Sequence, residues 1–495
     1  MGHSLSRRMF LRKAAAVSGS VIIGFDPGAR SWILQGQTRP RGLEELPALD
    51  GTLAADDATI QAFSTDHGNY IRRQPLAVLK PGSVKDIVEM VKYANQHNLQ
   101  IAMRGYGHSR SGETLVEAGI IIDSRTLRAI EVRNDQSVDA QPGAFLGEVY
   151  EAAFARNLTL PAMPGCTELS VGGVLSVGAW GGTRHRFGAA VDSVQELEVV
   201  TGEGNLVTCS PNERSELFDM VLAGLGQCAL IVRARIRLVA APSNVVRWNL
   251  LYEDDLEKYL SDQEQLVLDG RFDHLSGQAT KNEDGGWSFR IQVGTFHATG
   301  KEPDLKALED GLKFRSSSEK NRVSYRDYIS PETDRAATWA AARLKRQLGD
   351  LIMFIPGPGA QDLTTEILSE MSKSAYGPAS FTFPVHNLAR FHRPLFKLPT
   401  GEVAFSLWLF PRTVPAGDAS AHAALMAETR RLFEKMRAVG GKCYIAHSSV
   451  PFPPTGWEDH FGPDTWKRLA AAKNRFDPNH VLTPGPGIFA PPSPG

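Results

Sequence analysis

The sequence predicts an α+β protein of two domains, and three observations carry that prediction. At 495 residues the chain exceeds what one ordinary hydrophobic core supports. Up to about residue 242, short apolar runs of strand character alternate with amphipathic helical stripes. From about 245 to 440 longer helical patterns and separate strands take over, which marks a second α+β unit laid over the first. The composition, 42% hydrophobic and 22% charged, is that of a globular protein, and a net charge of −1 leaves no electrostatic footprint for nucleic acid.

Taken in order, residues 1–30 read as a leader. Ser6-Arg7-Arg8-Met9-Phe10-Leu11-Arg12-Lys13 precedes an apolar segment, 14–25, that is too short to span a bilayer. Paired arginines followed by Phe-Leu match the twin-arginine export signal. That signal implies a passing partnership with the Tat translocon and a periplasmic or secreted location, with no stable membrane span. Because this route carries folded proteins, it also hints at a cofactor inserted before export. Residues 31–70 read as a polar linker.

The first domain, 71–242, opens with a strand at 75–81 and a helix over 84–97, whose Ile87, Val88, Val91 and Ala94 share one stripe. Strands follow at 101–103 and 119–123, then a helix at 147–156. Runs 197–200 and 206–208 flank a turn and predict a hairpin, while 231–238 alternates with period two. In the second domain, 243–440, helices are expected over 255–267 and 420–439, and strands over 287–293 and 403–410. A C-terminal segment, 441–490, carries a helix at 464–473 and returns to the first domain. The four cysteines, Cys166, Cys209, Cys228 and Cys443, suit no zinc site by spacing, and any disulfide pairing stays open.

The chemistry concentrates at Arg104-Gly105-Tyr106-Gly107-His108-Ser109, directly after the strand at 101–103. Glycine lets backbone approach a flat or phosphorylated ligand closely, because no Cβ intervenes. A histidine fixed there presents a nucleophilic imidazole to that ligand.

Several pieces, in order along the chain, resemble the cytokinin dehydrogenases within the vanillyl-alcohol-oxidase-type flavoprotein superfamily. They are the 104–109 turn with Gly112, Val171-Gly172-Gly173-Val174-Leu175-Ser176, Glu198-Val199-Val200-Thr201-Gly202, Leu217-Phe218 and Gly224-Leu225-Gly226-Gln227. Arg233-Ala234-Arg235-Ile236, Trp457, His460-Phe461-Gly462 and Asn474-Arg475-Phe476-Asp477-Pro478 complete the set. The resemblance implies a two-subdomain PCMH-type FAD-binding domain, with an α+β substrate (cap) domain over the flavin. It implies FAD joined covalently through His108, with Met103, Gly105, Tyr106, Gly107, Ser109 and Glu113 along the same loop. Ser170, Gly172, Gly173, Ser176, Trp180 and Ile231 would complete the contacts, with Tyr444 and Thr483 reaching in from the tail. Backbone N–H groups around Gly172 and Gly173 are expected to form an anion nest for the pyrophosphate. Cys166 precedes those glycines by the spacing of berberine-bridge-type flavoproteins, which implies a possible second link to the flavin. The implied activity is that of an FAD-dependent oxidase or dehydrogenase acting on CH–NH or CH–OH donors, with a small-molecule substrate and oxygen or a quinone as acceptor.

Departures from the family pattern fall on the substrate side. The aspartate that takes a proton from the substrate amine lies six positions before the Val-Gly-Gly run, and Gly165 occupies that position. A second carboxylate, in a Phe-Asp-Tyr-Val-Glu-Gly stretch, becomes Ser276 in Phe272-Asp273-His274-Leu275-Ser276-Gly277, and Pro486 replaces a glutamine near the end. Neither glycine nor serine does the work of a carboxylate base. Glu168, Asp273 and His274 remain as candidate bases, each also explicable as structural. The run from Pro384 through His386 and His392 to Arg393 reads as a solvated basic loop, with a pocket-lining role as the alternative and no metal signature. Besides amine oxidation, a sugar or alditol oxidase and a flavoprotein binding module without catalysis stay open.

Overall fold

The computed structural model describes residues 22–26, 31–34, 46–162, 164–329, 345–452 and 455–489. The twin-arginine stretch lies outside the described residues. Within the leader and linker, Ile22–Asp26 pairs antiparallel with Ser31–Leu34.

Two sheets build the first domain. In one, Ala77–Lys80, Ile120–Asp123 and Ile101–Arg104 run parallel, with Ile120–Asp123 in the middle. All four residues of that central strand are buried, as expected for a parallel strand covered on both faces. Helix Val84–Gln96 makes the crossover and buries Ile87, Met90, Val91 and Ala94. The predicted linker is corrected here. Thr52–Ala54 forms the antiparallel edge of this sheet, and helix Asp57–Phe63, capped by the Asp56 side chain on Thr59 N–H, buries Ile60 and Phe63. The polar Asp57 and Gln61 lie on the exposed face of this helix, opposite the buried Ile60 and Phe63.

The second sheet is antiparallel, in the order Leu206–Cys209, Val194–Thr201, Ala229–Arg237, Ser137–Ala140 and Ile130–Val132. The expected hairpin is present, Val200 facing Leu206. The helix Val171–Val177 packs on Ala229–Arg237. Sequence reading missed this helix, because two adjacent glycines lower helix propensity.

A ten-stranded antiparallel sheet carries the second domain. Leu351, Met353 and Ile355 point into a core shared with Leu266, Ile367 and Leu432 of helices Leu256–Asp269, Ala360–Lys373 and Ala419–Ala438. Ile352 and Phe354, on the opposite face, belong to the core of the first domain. Period-two alternation thus welds the cap to the domain beneath it. The tail boundary also shifts, since Lys442–Cys443 still pairs with Leu351–Pro356 in the cap sheet. The return to the first domain comes through helix Pro463–Phe476 and the bridge between Leu482 and Ile101.

Candidate active site

The 104–113 loop leaves the C-terminal end of strand Ile101–Arg104, and its glycines have separate reasons. Gly107 has φ +80°, and a Cβ there would stand 2.6 Å from Arg104 Nε. The Arg104 guanidinium is tucked beneath the loop and donates to the carbonyls of Thr65 (2.8 Å) and Phe63 (3.4 Å). A Cβ on Gly105 would meet Ser170 Oγ at 1.9 Å, so that glycine lets the loop lie against the start of helix Val171–Val177.

Between loop, helix and tail lies a cavity open to solvent. It is lined by Met103, Gly105, Tyr106, Gly107, His108, Ser109 and Glu113 from the loop; Ser170, Gly172, Gly173 and Ser176 from the helix start; Ile231 from the second sheet; and Tyr444 and Thr483 from the tail. Fourteen of the sixteen predicted cofactor residues therefore line one cavity. The lining that sequence reading left out includes Leu225, Gly226, Ala446 and His447. The first pair sits within a motif already singled out, and the second follows Tyr444 by two and three positions, so the signal for both was proximity.

Cys166 and Trp180 stand off the cavity wall. Cys166 is buried, and its thiol donates to Glu168 Oε2 at 3.0 Å. Trp180 lies behind Tyr444, ring centroids 4.3 Å apart, in a cluster with Phe354, Phe396, Trp408 and His386. The solvated-loop reading fails for the first part of its run, since Val385–Asn387 is a buried strand of the cap sheet. His386 is fully buried there, Nε2 2.8 Å from Ser406 Oγ, while Arg390 and His392 are exposed.

The expected nest also changes. The N–H of Val171 donates to Ala144 O and that of Gly172 to Pro142 O, both at 2.9 Å, so these two groups fasten the helix start to the preceding loop. No lysine or arginine lines the cavity among the described residues. Its one ionisable acid, Glu113, is buried and accepts from Ser111 N–H at 2.8 Å through Oε2. Burial, then the nearby Asp66 carboxyl, push Glu113 up to about 8. Glu113 Oε1 has no hydrogen-bond partner among the described residues, which leaves a polar atom for a ligand to satisfy. Burial holds His108 well below the usual histidine range, with help from Arg110 and His67. His447 is held down likewise by burial and then by Arg110, His108 and His67.

The candidate bases are engaged elsewhere. Asp273 pairs with Arg186 and accepts from Phe296 N–H at 2.7 Å. His274 hydrogen-bonds Tyr328 and lies against Gly182, where a Cβ would meet its Nδ1 at 2.0 Å; burial first, then Arg184 and Arg247, depress it to about 3. Glu168 takes the Cys166 thiol. None of the three lines the cavity. No group of residues able to hold a metal ion occurs among the described residues, and no helix there is long and apolar enough to cross a membrane.

Residues 75–210 match the pattern described as FAD binding domain, and residues 302–489 that described as cytokinin dehydrogenase 1, FAD and cytokinin binding. A relative described as an uncharacterized oxidoreductase, ORF5 in the fasciation locus of Rhodococcoides fascians, is 33% identical over 88% of this chain and 99% of its own. Cytokinin dehydrogenase 4 of Oryza sativa subsp. japonica is 30% identical over 89% of this chain and 90% of its own. The chain belongs to the cytokinin dehydrogenase family.

Members of this family are FAD-dependent oxidoreductases, and this chain is one. The fold agrees. Chitooligosaccharide oxidase superposes with a TM-score of 0.69 at 16% identity, covering 88% of this chain and 96% of its own. 6-Hydroxy-D-nicotine oxidase from Arthrobacter nicotinovorans superposes at 0.64 and 18%, with the same coverage. Both are oxidases by name, and the cavity described above fits the cofactor this family binds. Its glycines admit backbone where a Cβ would intrude, its walls are mostly apolar, and Glu113 offers a buried polar atom.

Proposed function

We propose that this protein is an exported oxidoreductase whose FAD is held covalently through His108 and which oxidises a C–H bond beside an amine nitrogen or a hydroxyl. The observation that carries the reading is the single cavity into which His108, the 170–176 helix start and Tyr444 converge. His108 would hold the flavin ring, Gly105, Gly107 and Ser170 would lie along its length, and Thr483 would close the far side from the tail. When bound, the flavin accepts the substrate's hydride and passes the electrons to oxygen or a quinone.

The chain's own part is to aim the substrate and keep water out. Trp180, Phe354, Phe396 and Trp408 form an apolar roof behind Tyr444, where cap and first domain meet. Burial keeps the His386 imidazole uncharged, so it would handle hydrogen bonds without adding a charge to the roof. With Gly165 and Ser276 at the family's two acid positions, proton removal would not run through a carboxylate pair. Attachment through Cys166 is not needed for this reading, because the thiol stands off the cavity wall. Export through the Tat translocon to the periplasm or medium rests on the Arg7-Arg8 leader.

The alternative donors are sugars or alditols, and a flavoprotein without catalysis is the third reading. Anaerobic mixing of the purified protein with a panel of amines and polyols separates them. Bleaching of the flavin absorbance by an N6-substituted adenine supports the amine reading. Bleaching by a polyol replaces it with the alcohol reading, and no bleaching by any donor leaves the binding module.

A further inference from the structure

The segment 64–70 plays no part in the chemistry above, yet it grips the loop that bears His108. Asp66 is fully buried, and its carboxylate accepts the backbone N–H of Gly68 at 3.0 Å and that of Gly112. The N–H of His67 donates to the Ser109 carbonyl at 2.9 Å. Arg104 adds its bond to the Thr65 carbonyl. The loop is thus tied down on both sides of His108. These ties bring the His67 ring against the His108 ring, centroids 4.5 Å apart and planes 33° apart. A further imidazole, His447, stands 5.4 Å from His108.

Resting on the reading of His108 as the covalent anchor, we propose that His67 is the positioning residue for flavin attachment. Its ring is the platform that holds the His108 imidazole in one orientation.

An imidazole on a two-torsion side chain otherwise samples several rotamers. Packing it on a fixed ring removes that freedom before the bond forms, and pre-orientation of this kind lowers a barrier substantially. The nucleophile must also be uncharged, since the imidazolium has no lone pair to give. A second imidazole this close makes protonation of either ring costlier. During attachment the His108 nitrogen that carries the lone pair forms one bond, to the flavin 8-methyl carbon, and the other ring nitrogen gives up its proton. The methyl carbon gives up another proton, and the electron pair of its C–H bond passes to the ring. Dioxygen takes the two electrons and two protons as hydrogen peroxide. His67 touches none of the reacting atoms; it acts through His108.

The test compares full-length wild type with His67→Ala and His67→Phe, produced with flavin present. Covalent flavin is read as fluorescence surviving a denaturing gel and as the mass of the His108 peptide. Absorbance reports total bound flavin, and thermal melting reports folding. The expected result is about tenfold less adduct in His67→Ala, with non-covalent flavin still bound, and recovery to more than half in His67→Phe, whose ring is an equally flat platform. Equal adduct in His67→Ala and wild type overturns the proposal, as does a His67→Phe variant no better than His67→Ala. Should His67→Ala not fold, His67→Leu supplies bulk without a flat ring and is read the same way. A wild type that releases all its flavin on denaturation refutes the anchor itself, a result distinct from any variant's.

Discussion

Lys473 and Asp477 form a buried ion pair one helical turn apart, Nζ 2.6 Å from Oδ2, at the end of helix Pro463–Phe476. Asp477 also accepts the N–H groups of Val481 and Leu482, each at 2.9 Å. Lys473 donates to the carbonyls of Gln227 (2.9 Å) and Leu482 (3.2 Å). The pair thus bolts the tail onto the first domain and sets Thr483 against the cavity, its N–H on Ile101 O and its hydroxyl on Gly226 O.

Asp477→Asn leaves a buried ammonium without its counter-charge. Breaking a buried pair from one side costs about 3–5 kcal/mol. Denaturant unfolding should show a loss of that order, together with weaker flavin retention, because the tail forms one wall. A Lys473→Met, Asp477→Leu double variant should recover part of the stability. If Asp477→Asn is as stable as wild type, the bolt is not where the tail is held.

Gly107→Ala adds a Cβ 2.6 Å from Arg104 Nε at a φ of +80°. The left-handed conformation alone costs a residue with a Cβ about 1–2 kcal/mol. Arg104 cannot simply retreat, since its guanidinium is held by the Phe63 and Thr65 carbonyls. The variant should purify with less flavin and melt earlier, whereas Gly165→Ala should do neither. Full flavin content in Gly107→Ala would refute this account of the loop.

The strands and most helices were legible because each follows one clear period, as in the buried Ile120–Asp123 and the one-sided helix Val84–Gln96. The 170–177 helix was illegible because Gly172 and Gly173 argue locally against a helix that tertiary packing imposes. Likewise, nothing in the sequence reveals that the N–H of Gly172 is committed to Pro142, or that residues 64–70 fold back onto His108. Contacts between segments far apart in the chain carry no periodic signature. For the same reason Trp180 and Tyr444 were both assigned to the cofactor, when one stands behind the other.

Glu113 should make stability depend on pH. Its carboxyl has an ordinary value of 4.5 and is raised to about 8 in the fold, chiefly by burial. The folded state therefore holds a proton that the unfolded chain has already released, and stability falls as pH rises between those values. The contribution is fully present below the lower value and lost through the upper one. Glu113→Gln, which stays uncharged, should flatten the decline in melting temperature between pH 5 and pH 8. Parallel melting curves for the two proteins across that range would contradict the assignment.

Cys166→Ala should carry the same amount of covalent flavin as wild type, because the thiol faces Glu168 rather than the cavity. The measurement is the mass of flavin-bearing peptides after digestion. Any flavin found on the peptide containing residue 166 would show that the cysteine swings onto the wall.

Gly165→Asp restores a carboxylate at the position where the family pattern has its proton-accepting aspartate. A Cβ at Gly165 meets nothing within 4 Å among the described residues, so the backbone there has room for a side chain to start. General-base catalysis is worth about 10²-fold or more when the base reaches its proton. Anaerobic stopped-flow should then show faster flavin bleaching by an N6-substituted adenine in Gly165→Asp than in wild type, by roughly that factor. Bleaching by an alditol should be unchanged, because the family pattern uses this aspartate on a substrate amine. Equal acceleration of both donors would mean the carboxylate acts on the flavin rather than on the substrate. No acceleration of either would mean that a carboxylate at residue 165 does not reach the reacting carbon.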